Sequence, residues 1–126
     1  MFANLYFTLY KKAVVFATAF FYIRVMVTIE KASSLLLKLH EVEESVHWER
    51  PAFRANKKIF ATIWPLEKIL VLKFSVEQQY VYVKMDALIF SAVPGAWGKK
   101  GYTCVALDKI SHALFSEVIA IARQSV

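Results

Sequence analysis

The chain predicts an α+β fold, a two-layer arrangement with an antiparallel sheet packed with helices in the order α-β(3)-α-β(2)-α. Three observations carry that expectation. Apolar residues recur at helical spacing behind Thr28 and again near the C-terminus. Two short β-rich runs flank the turn Pro65-Leu66-Glu67-Lys68. These helical and extended segments alternate along 126 residues, a length that suits one domain with one core.

Each element has a local reason. Thr28 can cap a helix in which Ile29, Ala32, Leu36 and Leu39 share one face, with Glu30 well placed in its first turn. Pro51 closes any helical option. The runs 52–55 and 58–64 then flank Asn56-Lys57, a two-residue connection that reads as a hairpin, with Asn56 tolerant of positive φ. Strict alternation in the second run puts Ile59, Ala61 and Ile63 on one side and Phe60, Thr62 and Trp64 on the other. Residues 69–74 form a third strand. Ser75 with Gln78 three residues later is a capping box for a helix expected to bury Val76, Tyr80 and Val83. A last strand spans 102–107, and Asp108 can cap a final helix with Ile110, Leu114, Val118 and Ile121 inward.

Residues 1–25 differ in composition from the rest. They hold eight of the 19 aromatics, three basic residues and no acid. The uncharged run 13–23 is 11 residues long, against the roughly 20 needed to span a bilayer. Lys11-Lys12 ahead of that run resembles a secretory signal, but no small-x-small cleavage site follows before Arg24. We read 1–25 as a hydrophobic extension upstream of the true start and 26–126 as the domain. A real amphipathic or membrane-associating segment is the remaining alternative. The mean hydropathy of +0.43 is therefore no membrane signal by itself.

Composition narrows the function classes. One cysteine, Cys104, excludes an internal disulfide and a cysteine-rich zinc site, and points to a cytoplasmic protein. The formal charge is +6, but from Met26 onward 13 Lys and Arg face 10 Asp and Glu, an ordinary excess. There is no dinucleotide fingerprint, Walker-type loop, H-E-x-x-H or G-x-S-x-G, so no enzyme, cofactor or metal is expected. His47 near Glu43, Glu44 and Glu49 reads as solvated charge in preference to a metal or acid–base site, and Cys104 as a packed thiol.

The densest local signal is Val93-Pro94-Gly95-Ala96-Trp97-Gly98-Lys99-Lys100-Gly101-Tyr102, which contains all three glycines of the chain. Proline fixes one φ and the glycines permit positive φ or close backbone approach, so this is a built turn. A strand follows it, so it lacks the helix N-terminus that holds phosphate. Together with Ser45-Val46-His47-Trp48-Glu49-Arg50-Pro51-Ala52-Phe53-Arg54 and Lys58-Ile59-Phe60-Ala61-Thr62-Ile63-Trp64, the run closely resembles the MmcQ/YjbR family of small bacterial proteins, from about Met26 to the C-terminus. That resemblance implies a fold similar to type III secretion chaperones. It also implies DNA binding through a double-wing arrangement, with Arg54, Lys58, Lys99 and Lys100 at matching positions. One departure is His40-Glu41, where relatives often end the first helix with Pro-Gly. A longer helix and an acidic edge at Glu41, Glu43 and Glu44 are expected from it.

The residues themselves support the same reading. Arg50, Arg54, Lys57 and Lys58 belong to one hairpin and Lys99 and Lys100 to the later turn, with Trp48, Trp64, Trp97 and Tyr102 interleaved. Cations neutralise phosphates, and aromatics stack on unpaired bases. The bland readings are lysines that keep hairpins soluble and tryptophans that fill the core. The alternative function is a protein-interaction or chaperone-like adaptor with an exposed aromatic sheet face.

Overall fold

The computed structural model describes residues 27–126, so the expectations for residues 1–25 lie outside the described residues. Helix α1 (Ile29–Leu37) starts at Thr28, whose hydroxyl accepts from the Lys31 amide at 3.1 Å. It buries Ala32 and Leu36 and ends at Leu37, capped by Lys38. The longer helix expected from His40-Glu41 does not form; Glu41 takes a left-handed φ of 52° and the chain turns into a strand.

Four strands follow, one more than the three expected: β1 (Glu43–His47), β2 (Arg50–Ala55), β3 (Lys58–Trp64) and β4 (Ile69–Lys73). The additional strand is β1, the acidic stretch, which pairs with β2 from Glu43 opposite Arg54 to His47 opposite Arg50. Its turn, Trp48-Glu49, has φ of 52° and 63°, and Asn56-Lys57 between β2 and β3 has 52° and 65°. Positive φ at both central residues is the two-residue hairpin geometry that matches strand twist, reached here without glycine.

Helix α2 (Val76–Met85) carries the Ser75–Gln78 capping box, with both reciprocal bonds formed. It buries Tyr82; Val76 and Tyr80 are exposed and Val83 is only partly buried, so the helix presents a different face from the one expected. Strand β5 (Phe90–Ala92), the one-turn helix α3 (Ala96–Lys99), strand β6 (Tyr102–Ala106) and helix α4 (His112–Gln124) complete the chain. The cap of α4 is Ser111, accepting from the Leu114 amide, in place of Asp108. Residues 108–110 instead fold into a turn on the Ala106 carbonyl that drops Ile110 into the core.

The six strands form one antiparallel sheet in the order β1-β2-β3-β4-β6-β5. Phe53, Ile63, Leu70, Leu72, Phe90 and Val105 from the sheet join Leu36, Tyr82, Phe115, Val118, Ile119 and Ala122 from α1, α2 and α4 in one core. These three helices therefore lie on one face. Side chains alternate across a strand, so the row Ala52, Thr62, Val71, Cys104 and Ser91, aligned by the register, belongs to the other face.

A bulge modifies that alternation. Phe53 pairs with Ala61 but Arg54 pairs with Ile59, which leaves Phe60 as the extra residue. Phe60 consequently enters the core beside Ala61 and Ile63, and Ile59 moves to the open face with Thr62 and Trp64. Strict alternation had placed both the other way.

Candidate functional site

The open face of the sheet is a groove of about 340 Å³, lined by His47, Trp48, Arg50, Ile59, Thr62, Trp64, Val71, Val93, Trp97 and Tyr102. One wall is the β1–β2 hairpin with Trp64; the other is α3 with the start of β6. Thr62 and Val71 make the floor.

The first wall is a set of stacked planes. Register sets Arg50 at the start of β2, near the end of β3, and its guanidinium lies 4.1 Å above the Trp64 ring. Such a contact contributes about 0.5–1 kcal/mol at an exposed site and orients both groups. His47 stacks on Trp48 with centroids 5.6 Å apart. Trp48 itself is 84% exposed at the hairpin tip.

The second wall depends on close backbone approach. A Cβ on Gly98 would collide with the Val93 carbonyl, and one on Gly101 with the Phe74 carbonyl, so only glycine lets α3 settle against the ends of β4 and β5. Trp97 then stands edge-on to Tyr102 at 5.0 Å. Lys100 Nζ lies 5.1 Å from the Trp97 ring and Lys73 Nζ 5.0 Å from the Tyr102 ring. Lys73 also donates to the carbonyls of Phe74, at 3.3 Å, and Lys100.

All four aromatics singled out from sequence, Trp48, Trp64, Trp97 and Tyr102, therefore share one groove with Arg50, and Lys100 sits at its rim. They are not core tryptophans. The other cations separate from them. Arg54 stands opposite Glu43, and with Lys57 it lines a second depression of about 530 Å³ that also holds Glu41 and Glu43. Lys58 is exposed at the start of β3 and Lys99 on α3. Sequence reasoning missed Ile59, Thr62, Val71 and Val93 as members of the groove and Lys73 beside it, whereas His47 stands out in the sequence only as a ligand or acid–base candidate. A bulge after Phe53 would have revealed Ile59, but no residue type there announces it.

The groove lining contains Arg50 and His47 and no carboxylate. Cys104, on the same face, has its thiol pushed up by burial, partly offset by a hydrogen bond with Ser91. A raised thiol has little thiolate at neutral pH, which suits a packed side chain more than a nucleophile. Among the described residues no three His, Cys, Asp or Glu side chains gather as a metal site. Among them, too, no helix is long and apolar enough to cross a membrane.

The model of the YjbR family matches residues 37–125. The chain belongs to the YjbR family. Its fold is also similar to the crystal structure of Deinococcus radiodurans protein DR2400, which carries the domain DUF419. The TM-score is 0.62 at 17% identity, over 75% of this chain and 74% of that one. No curated protein matches the chain significantly. The YjbR match spans β1 through α4, and so contains both walls of the groove.

Proposed function

We propose that this YjbR protein is a cytoplasmic DNA-binding module without catalytic activity, and that the open sheet face is its binding surface. The observation that carries this reading is the convergence of Trp48, Trp64, Trp97 and Tyr102 on one groove with Arg50, with Lys73 and Lys100 beside the far wall and no carboxylate in the lining. Cations release counterions from a phosphate backbone, while the aromatic surfaces supply contact that does not depend on charge. The turns carrying Trp48-Glu49 and Trp97–Lys100 flank the groove and take the place of the two wings. The basic cluster at Arg54, Lys57 and Lys58 is a weaker contributor, because Glu41 and Glu43 lie beside Arg54 and Lys57 and offset their field.

Fluorescence anisotropy of the full chain on labelled DNA at about 50 and 200 mM salt tests the reading. Binding that weakens steeply with salt, and is reduced further by Lys99→Ala with Lys100→Ala than by Lys57→Ala with Lys58→Ala, is expected. Absence of binding at the lower salt overturns it.

One observation favours a second reading. Val46 is 74% exposed and Trp48 84%, so the β1–β2 hairpin presents apolar surface of the kind found at protein interfaces. A peptide partner held there would bind almost independently of salt, so the same titration separates the two readings.

A further inference from the structure

We infer that the groove takes unpaired nucleobases, so that the protein prefers single-stranded nucleic acid to duplex. This rests on the DNA-binding reading and narrows it. Base pairing and stacking in a duplex hide the base faces and leave edges and phosphates for recognition, whereas a single strand can splay its bases onto aromatic side chains or a guanidinium plane. The groove offers planes. Arg50 lies on Trp64 at 4.1 Å, His47 on Trp48 at 5.6 Å, and Trp97 meets Tyr102 edge-on at 5.0 Å.

Its dimensions suit a strand. Trp64 lies on β3 and Tyr102 on β6, two strand spacings or about 10 Å apart across the sheet. Their ladder partners Ile69 and Lys73 on β4 are four residues apart, about 13 Å along the strand. The diagonal between the walls is thus about 16 Å, which holds at most about four or five nucleotides at the 3.4 Å spacing of a stacked strand and fewer once the bases are splayed apart. Charge agrees with that occupant. Arg50 and His47 line the groove without a carboxylate, and Lys73 and Lys100 stand over the rings of the second wall, where a backbone leaving the groove would pass.

The protein carries its own reporter, because its only three tryptophans, Trp48, Trp64 and Trp97, all line the groove. A ligand seated there changes their emission; one held by lysines elsewhere does not. The full chain is titrated with dT12, rU12, a 12-base-pair duplex and tripolyphosphate, following tryptophan fluorescence and, with labelled oligomers, anisotropy.

The expected result is quenching by an unpaired strand and none by duplex or tripolyphosphate. Quenching by dT12 and rU12 alike assigns any unpaired strand, and a clear preference for dT12 assigns DNA. Trp97→Ala weakens dT12 binding by about 5- to 150-fold, the effect of losing one stacked base. Arg50→Lys keeps the charge and the fold but removes the planar guanidinium, and weakens it as well. Equal anisotropy binding of dT12 and duplex with unchanged tryptophan emission overturns the inference and leaves DNA binding standing. Binding of neither overturns both.

Discussion

The glycine turn gives a graded prediction about how the second wall of the groove is built. Alanine is placed singly at Gly95, Gly98 and Gly101. At Gly95 the φ is 85° and ψ −153°, a region kept almost entirely to glycine, and a new Cβ meets nothing within 4 Å, so the cost is conformational alone, about 1–3 kcal/mol for an L-residue. Entropy withdrawn from the unfolded chain returns about 0.4–1 kcal/mol, for a net loss of about 1–2 kcal/mol. Gly98 is not left-handed, and alanine favours a helical position, but its Cβ would overlap the Val93 carbonyl oxygen and sit 3.0 Å from the carbonyl carbon. Moving Val93 strains its amide bond to the Tyr102 carbonyl, 3.0 Å long, and the net loss is about 2 kcal/mol. Gly101 combines both penalties. Its φ is 101°, its Cβ would strike the Phe74 carbonyl, and its own carbonyl accepts from the Phe74 amide at 3.2 Å. A loss of about 3 kcal/mol follows. For a domain of this size these values correspond to drops in Tm of about 4–16, 8–16 and 12–24 °C, read by calorimetry or thermal circular dichroism. The content of the prediction is that Gly98→Ala is costly despite its ordinary φ, and that Gly101→Ala, which joins a clash to a positive φ, is the worst of the three. If Gly98→Ala is as stable as the parent, or Gly101→Ala no worse than Gly95→Ala, the close backbone approach argued for α3 is wrong.

Three further outcomes are expected. Lys57→Gly relieves a left-handed residue in the β2–β3 turn and, after the entropy glycine returns to the unfolded chain, stabilises by about 0.5 kcal/mol in urea melts; destabilisation would contradict the turn geometry. Ser111→Ala removes the hydroxyl that accepts from the Leu114 amide and costs about 1 kcal/mol, whereas Asp108→Ala costs clearly less; the reverse order would restore Asp108 as the cap. Burial raises the Cys104 thiol, and burial, then the hydrogen bond and charge of Glu117, raise Tyr82. Both groups are acids held neutral by folding, so their contribution is complete below their ordinary pKa values and is lost as pH climbs through the raised ones. Stability therefore falls above about pH 9, and Cys104→Ala flattens the first part of that fall; an identical slope in the variant would refute the assignment.

Legibility in the sequence followed how local each cause is. Thr28 and the Ser75–Gln78 box were readable because a cap is a contact across three residues, and both form as expected. Asn56-Lys57 was readable because asparagine tolerates left-handed φ. Strand β1 was not, since Glu43-Glu44-Ser45-Val46-His47 has one apolar residue, and that residue is exposed; its pairing with β2 makes it a strand. Ser111 was passed over because Asp108 is also a good cap; what decides is the turn in which the Lys109 and Ile110 amides both donate to the Ala106 carbonyl, which delays the helix to His112. The aromatic members of the site were visible as a composition. Their groove was not, because it depends on the bulge at Phe60 and on two glycines touching carbonyls that are distant in sequence. The split of the cations likewise turns on Glu43 facing Arg54 across β1, a strand the sequence hid.

The strand order has a kinetic consequence. Strands β1 to β4 are joined by short turns and pair in sequence order, so they can form early. The β4–β6 ladder is different: Ile69 meets Ala106 and Lys73 meets Tyr102, and the chain between them must first close a long loop. Trp48, Arg50 and Trp64 lie on the early side of that closure, Trp97 and Tyr102 on the late side. The groove therefore comes into existence only when the slow, non-local pairing completes. A partly folded chain that already shows its β meander would hold half of the aromatic surface facing water and bind nothing between two walls, so recovery of ligand-dependent tryptophan emission during refolding should trail the recovery of sheet signal.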